Sequence, residues 1–116
     1  MDKSKEPTEA QIKEFWEWCG LQLFDHPRIG LVWLNIDKSL TFLGDKLPID
    51  LNNLFRYAVP RLAKGIELTV SLHKIHGGLW SCILTTYKGD IATVEARYND
   101  PALALFWAIM EVIKSN

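Results

Sequence analysis

His73 and His76 stand three residues apart beside Gly77-Gly78, a spacing open to two ligands of one metal ion. A zinc site needs a third and a fourth donor, and the nearest candidates of suitable type, Glu67 and Glu95, are distant in sequence. The histidines therefore read as a solvated pair at the end of a strand. Ser71, His73 and Glu95 supply the side-chain types of a nucleophile, a base and an orienting acid, but no nucleophile elbow or oxyanion loop accompanies them. Gly77-Gly78 joins two strands and opens no helix, so it is not a phosphate cradle. Cys19 and Cys82 are too few for a structural zinc site or a disulfide framework. Both lie in apolar segments and read as small buried hydrophobes. These patterns assign no catalytic residue, no metal and no cofactor, and the chain reads as non-enzymatic.

A polar sheet face is the better candidate. Glu67, Thr69, Ser71, His73, Ser81, Thr85, Glu95 and Arg97 alternate onto one side of three runs, with Ile83 and Tyr87 as apolar islands. Arg97 supplies a planar fork for a carboxylate or phosphate, and Tyr87 and His73 on neighbouring strands would support it by stacking and hydrogen bonding. The same face can instead be plain solvated surface, or be covered by the first helix in a three-layer arrangement. Trp16, Trp80 and Trp107 fit apolar stripes and read as core, whereas Trp18 and Trp33 are harder to bury and are candidate partner-binding aromatics.

At 116 residues the chain reads as a single domain able to bury its own core. The net charge of -1 removes the long-range attraction that drives nucleic-acid binding. No apolar run reaches the roughly 20 residues of a membrane span, and the charged start lacks the apolar segment of a secretory signal. A cytoplasmic setting is expected.

Residues 1–7 read as a disordered tail. Thr8 and Gln11 form a capping box for a first helix that carries Ile12, Phe15, Trp16 and Cys19 on one face and stops at Gly20. Within residues 21–47, the runs 31–35 and 40–43 form either a hairpin or a long irregular loop. Asp50 caps a second helix that ends at Gly65, with Pro60 bending or dividing it near Tyr57. From Ile66 the hydrophobic period becomes two, giving strands 66–73, 79–87 and 91–98, with turns at Gly77-Gly78 and Lys88-Gly89-Asp90. Asp100-Pro101 starts a final helix. The expected fold is α+β, an antiparallel three-strand meander packed with three helices in the order α-(ββ)-α-β-β-β-α, the bracketed hairpin being optional. Leu103, Phe106, Trp107 and Met110 make a second apolar stripe on the last helix. The sheet alone cannot cover so wide an arc, so either the first two helices or a second chain must do so, and self-association into a homo-oligomer is expected.

The second helix, the Trp80-Ser81-Cys82 strand, the strand bearing Ala92 and Ala96, and the Asp100-Pro101-Ala102 opening of the last helix give the chain a family resemblance. Over roughly residues 48–113 it resembles the small phage and prophage proteins described as phage ABA-sandwich domains, with residues 8–47 as an N-terminal addition. The resemblance implies a phage origin and a fold, and brings no catalytic residues. Together with the missing catalytic patterns it leads to an interaction protein that blocks or sequesters a host component such as a defence factor. The alternative is a small-ligand binder, for instance an oligomeric sponge for a nucleotide-derived signal. The partner is thus a host protein or a small anionic ligand.

Overall fold

Two capping sequences set where the main helices begin. In a computed structural model that describes residues 5–88 and 90–115, the Thr8 hydroxyl accepts from Gln11 N at 3.1 Å and the Gln11 side chain accepts from Thr8 N at 2.9 Å. This box opens α1 (Glu9–Trp18), and Gly20, at φ 93°, takes the left-handed turn that ends it. Asp100 Oδ1 accepts from Ala102 N at 2.8 Å and Leu103 N at 3.2 Å, and α4 (Pro101–Ser115) follows. Between these helices run β1 (Gln22–His26), β2 (Gly30–Leu34), β3 (Leu40–Leu43), a helical segment, β4 (Glu67–Lys74), β5 (Trp80–Lys88) and β6 (Asp90–Tyr98). The α+β class and the β4–β5–β6 meander are as the sequence predicts. The expected turn at Lys88-Gly89-Asp90 centres on Gly89, which lies outside the described residues, as do residues 1–4 of the expected tail.

The chain divides into two compact units, Pro7–Pro48 and the remainder. In the first, β1, β2 and β3 form an antiparallel sheet, so the optional hairpin is a three-strand meander. Leu23, Trp33 and Phe42 share one row across it. The buried residues of this unit are Phe15, Trp16, Leu21, Val32, Trp33 and Leu47. Trp16 Nε1 donates to Leu47 O at 3.1 Å and Trp33 Nε1 to Asp45 O at 3.0 Å, so both indoles are buried with their polar edge satisfied. His26 has a local task, since its Nδ1 accepts from Arg28 N at 3.1 Å in the turn before β2.

The β2–β3 turn holds a non-glycine residue, Lys38, at φ 70°. An L side chain is strained there, at a cost of about 1 kcal/mol. Lys38→Gly is therefore expected to raise unfolding stability by roughly 0.5 to 1 kcal/mol, net of its exposed hydrogen bond to Gln22. A higher denaturant midpoint at unchanged slope is the check.

In the second unit Asp50 caps the helical segment by accepting from Asn53 N at 2.8 Å. The segment is a short α2 (Leu51–Asn53), a wide π-helical turn (Leu54–Ala58) and α3 (Val59–Leu62). Pro60 explains the division, because it has no N–H to give and its ring crowds the carbonyl one turn back. The wider turn, closed by Val59 N donating to Leu54 O, relieves both. The expected break near Tyr57 thus takes the form of a π turn.

Leu68, Val70 and Leu72 share the face of Trp80, Cys82, Leu84, Val94 and Ala96, and α4 packs on β4, β5 and β6. Every residue from Ala102 to Met110 is buried. The helical segment packs against α4 and supplies part of the cover that the sheet cannot. Leu103, Trp107 and Met110 are thus buried within one chain and do not form the exposed stripe through which this helix was expected to self-associate. Trp80, expected in the core, is only half-buried because it begins β5 at the margin of the sheet.

Candidate binding face and adjoining cleft

The register of the second sheet turns its polar face into four cross-strand rows: His73–Ser81–Arg97, Ser71–Ile83–Glu95, Thr69–Thr85–Thr93 and Glu67–Tyr87–Ile91. Arg97 and His73 therefore flank the same central residue, about two strand spacings or 10 Å apart. Tyr87 lies on the same face but three rows away, about 20 Å along β5. One small planar ligand cannot touch both Tyr87 and Arg97. The structure brings together two of the three residues predicted for that face.

Ser81 is the middle member of the first row, 1% exposed, and its hydroxyl donates to Glu95 Oε2 at 2.7 Å. Arg97 reaches the same carboxylate, with Nη2 3.1 Å from Oε1. The Ser81 hydrogen bond, then the Arg97 hydrogen bond and charge, hold the Glu95 carboxyl below its ordinary range, so it is ionised at neutral pH. Ser71 Oγ lies 3.5 Å from His73 Nδ1. Glu95, the third member of the serine, histidine and acid set, directs its hydrogen bonds to Ser81 and Arg97. Among the described residues no group of three His, Cys, Asp or Glu side chains is placed to hold a metal ion. His76 stands exposed in the turn before β5.

The two aromatic candidates outside the sheet part company. Trp33 is 1% exposed and hydrogen-bonded inside its unit, which corrects its reading as a surface residue. It is the middle member of its row, with Leu23 on one side and Phe42 on the other, and the indole is too large to stay in water once both neighbours are apolar. Trp18 is half-buried and tilted against Phe15, as its place beside the apolar stripe of α1 predicts.

A feature the sequence reading missed lies beside the row of Arg97. The outer side of β6 and the flank of α4 enclose a cleft of about 510 Å³, lined by residues 93–98 together with Trp107, Met110, Glu111 and Lys114. Val94, Ala96, Trp107 and Met110 are its apolar lining residues. Trp107 stacks on Tyr98 with ring centroids 6.2 Å apart, lies under the Lys5 ammonium at 5.0 Å, and donates from Nε1 to Lys5 O at 3.0 Å. The lip is charged, with Glu95, Arg97, Glu111 and Lys114 giving two charges of each sign. No family model, curated protein or solved structure matches this chain. What the site can do therefore rests on its own chemistry. It offers an outer strand, apolar side chains and charges of both signs, which together suit a polypeptide segment more than a compact anion. The signal that locates it is the nine-residue last strand followed after two residues by an apolar helix. Among the described residues no helix is long and apolar enough to cross a membrane.

Proposed function

We propose that this chain is a non-enzymatic interaction protein that engages its partner at the β6 margin of the second sheet, with Arg97 as the anchoring cation. The observation that carries the reading is the position of Arg97, which is exposed on the polar face and also lines the cleft. The resemblance of residues 48–113 to phage ABA-sandwich domains supports a phage or prophage origin, and with it a host component, such as a defence factor, as the protein blocked or sequestered. The partner would present a carboxylate or phosphate to the Arg97 guanidinium and an extended backbone to the strand edge. A second reading, a binder of a small nucleotide-derived anion, draws on the cleft volume, which lies within the usual range of ligand sites. Against it, the Trp107 ring already contacts Lys5 and Tyr98 and has little face left to stack a base.

Titration calorimetry with acidic peptides and with nucleoside diphosphates separates the two. In either case Arg97→Ala is expected to weaken binding at least tenfold, about 1.4 kcal/mol, with an unchanged circular dichroism spectrum. Unchanged affinity in the folded variant would move the site away from the sheet.

A further inference from the structure

We propose that two copies of this chain join antiparallel through the outer edges of β6, with Ala96 on the two-fold axis, to make one continuous six-stranded sheet. Three observations carry it. First, β6 is an edge strand, and its pairing with β5 runs unbroken from Lys88↔Asp90 to Trp80↔Tyr98, with no bulge to twist the edge away. Second, residues 91–98 contain no Pro, Gly or Lys, so three of the devices that stop one edge from pairing with another are missing from this strand, and its two charges are of opposite sign. Third, the cleft runs along residues 93–98 and leaves this edge accessible.

The charges choose the occupant. With Ala96 facing Ala96, antiparallel pairing puts Glu95 of each copy opposite Arg97 of the other, which gives two cross-strand ion pairs on the polar face. The two side chains, 38% and 54% exposed, pair with each other within one chain at 3.1 Å, and in the dimer each exchanges or shares that partner with the residue opposite it in the other copy. Sliding the register by two residues in either direction sets Glu95 against Glu95 or Arg97 against Arg97. Sliding by one puts the polar residues on the helix side. The sequence Glu95-Ala96-Arg97 is therefore complementary to itself in one register only, and the partner of the proposed function, which uses the same edge, binds by displacing the second copy. On the other face the small Ala96 side chains meet at the axis, and Val94 of each copy lies opposite Tyr98 of the other. The α4 helices of both copies then stand on the same side of the joined sheet, where each closes the cleft of its neighbour. The contact is isologous and closed, so it ends at a dimer. It uses a surface different from the helix stripe first expected to self-associate.

Sedimentation velocity on the full chain tests this without any ligand. The wild type is expected to dimerise at micromolar concentration. Glu95→Arg and Arg97→Glu, each alone, are expected to raise the dimer dissociation constant at least tenfold, because each sets like charges face to face. An equimolar mixture of the two single variants is expected to recover the dimer, as a heterodimer by native mass spectrometry. The double variant Glu95→Arg/Arg97→Glu is expected to recover it as a homodimer. Independently of any variant, the amides of β6 should gain hydrogen-exchange protection as the wild-type concentration rises. A wild type that stays monomeric at high micromolar concentration overturns the proposal. So does a dimer that neither single variant weakens, or a mixture of folded single variants that stays monomeric.

Discussion

Trp33→Ala is expected to cost about 3 to 5 kcal/mol of unfolding free energy, about a fifth or more of the stability of an ordinary domain. The indole is 1% exposed in the central strand of the first sheet. The unit Pro7–Pro48 to which it belongs buries few other large side chains, chiefly Phe15, Trp16 and Leu47. Truncation leaves a cavity that so small a core cannot fill by collapse, and it also removes the hydrogen bond from Nε1 to the Asp45 carbonyl at 3.0 Å. Trp18→Ala, at a half-buried position in the same unit, provides the comparison and should cost clearly less. Denaturant midpoints for the two variants decide the matter. If Trp33→Ala proved the milder change, the packing of the first sheet described above would be wrong. Hydrogen exchange should show the loss in the strands of residues 22–43.

Trp33 and Trp80 show where the sequence is informative and where it stops. Alternation alone places Leu68, Leu72, Cys82, Leu84 and Ala96 on one face, because a period of two has only two sides to choose between. Caps at Thr8, Asp50 and Asp100 are legible because a short polar side chain before an apolar run has one common use. Depth within a sheet is not encoded in this way. Trp80 alternates correctly yet begins its strand, while Trp33 sits in the middle of its own, and the two exchange the burial that the pattern suggests. Strand β1 was missed because Gln22-Leu23-Phe24-Asp25-His26 has neither alternation nor a fully buried member, its faces being only partly covered. For the site, the period puts Arg97, His73 and Tyr87 on one face, but only pairing registers show that Tyr87 is three rows away. The cleft is not legible for a related reason, since it depends on how α4 packs against β6, which the hydrophobic period does not specify.

Cys82 is expected to resist alkylation in the native protein by two orders of magnitude or more relative to an ordinary thiol. Burial, with no measurable exposure, pushes its pKa up to about 11. At pH 8 that leaves roughly 0.1% as the reactive thiolate, against about a quarter for a thiol of pKa near 8.5, and steric exclusion adds to the difference. Cys19 is half-buried at the end of α1, and neither cysteine is in a disulfide. Iodoacetamide at pH 8 should therefore give at most one adduct per native chain, on Cys19, and two in denaturant. The same burial makes stability depend on pH with a definite sign. A thiol whose folded pKa lies above its unfolded value favours the folded state fully below about pH 8.5, and this contribution fades as pH rises toward about 11. The slope approaches 1.4 kcal/mol per pH unit in that window, for a total of about 3 kcal/mol. Cys82→Ala, which lacks the titrating group, should lose this part of the alkaline destabilisation, while the lysines and tyrosines titrate equally in both proteins and cancel. Parallel stability curves for wild type and Cys82→Ala between pH 8 and 11, or native labelling of Cys82 as fast as Cys19, would place the thiol in contact with water and dissolve the packing of α4 on β5.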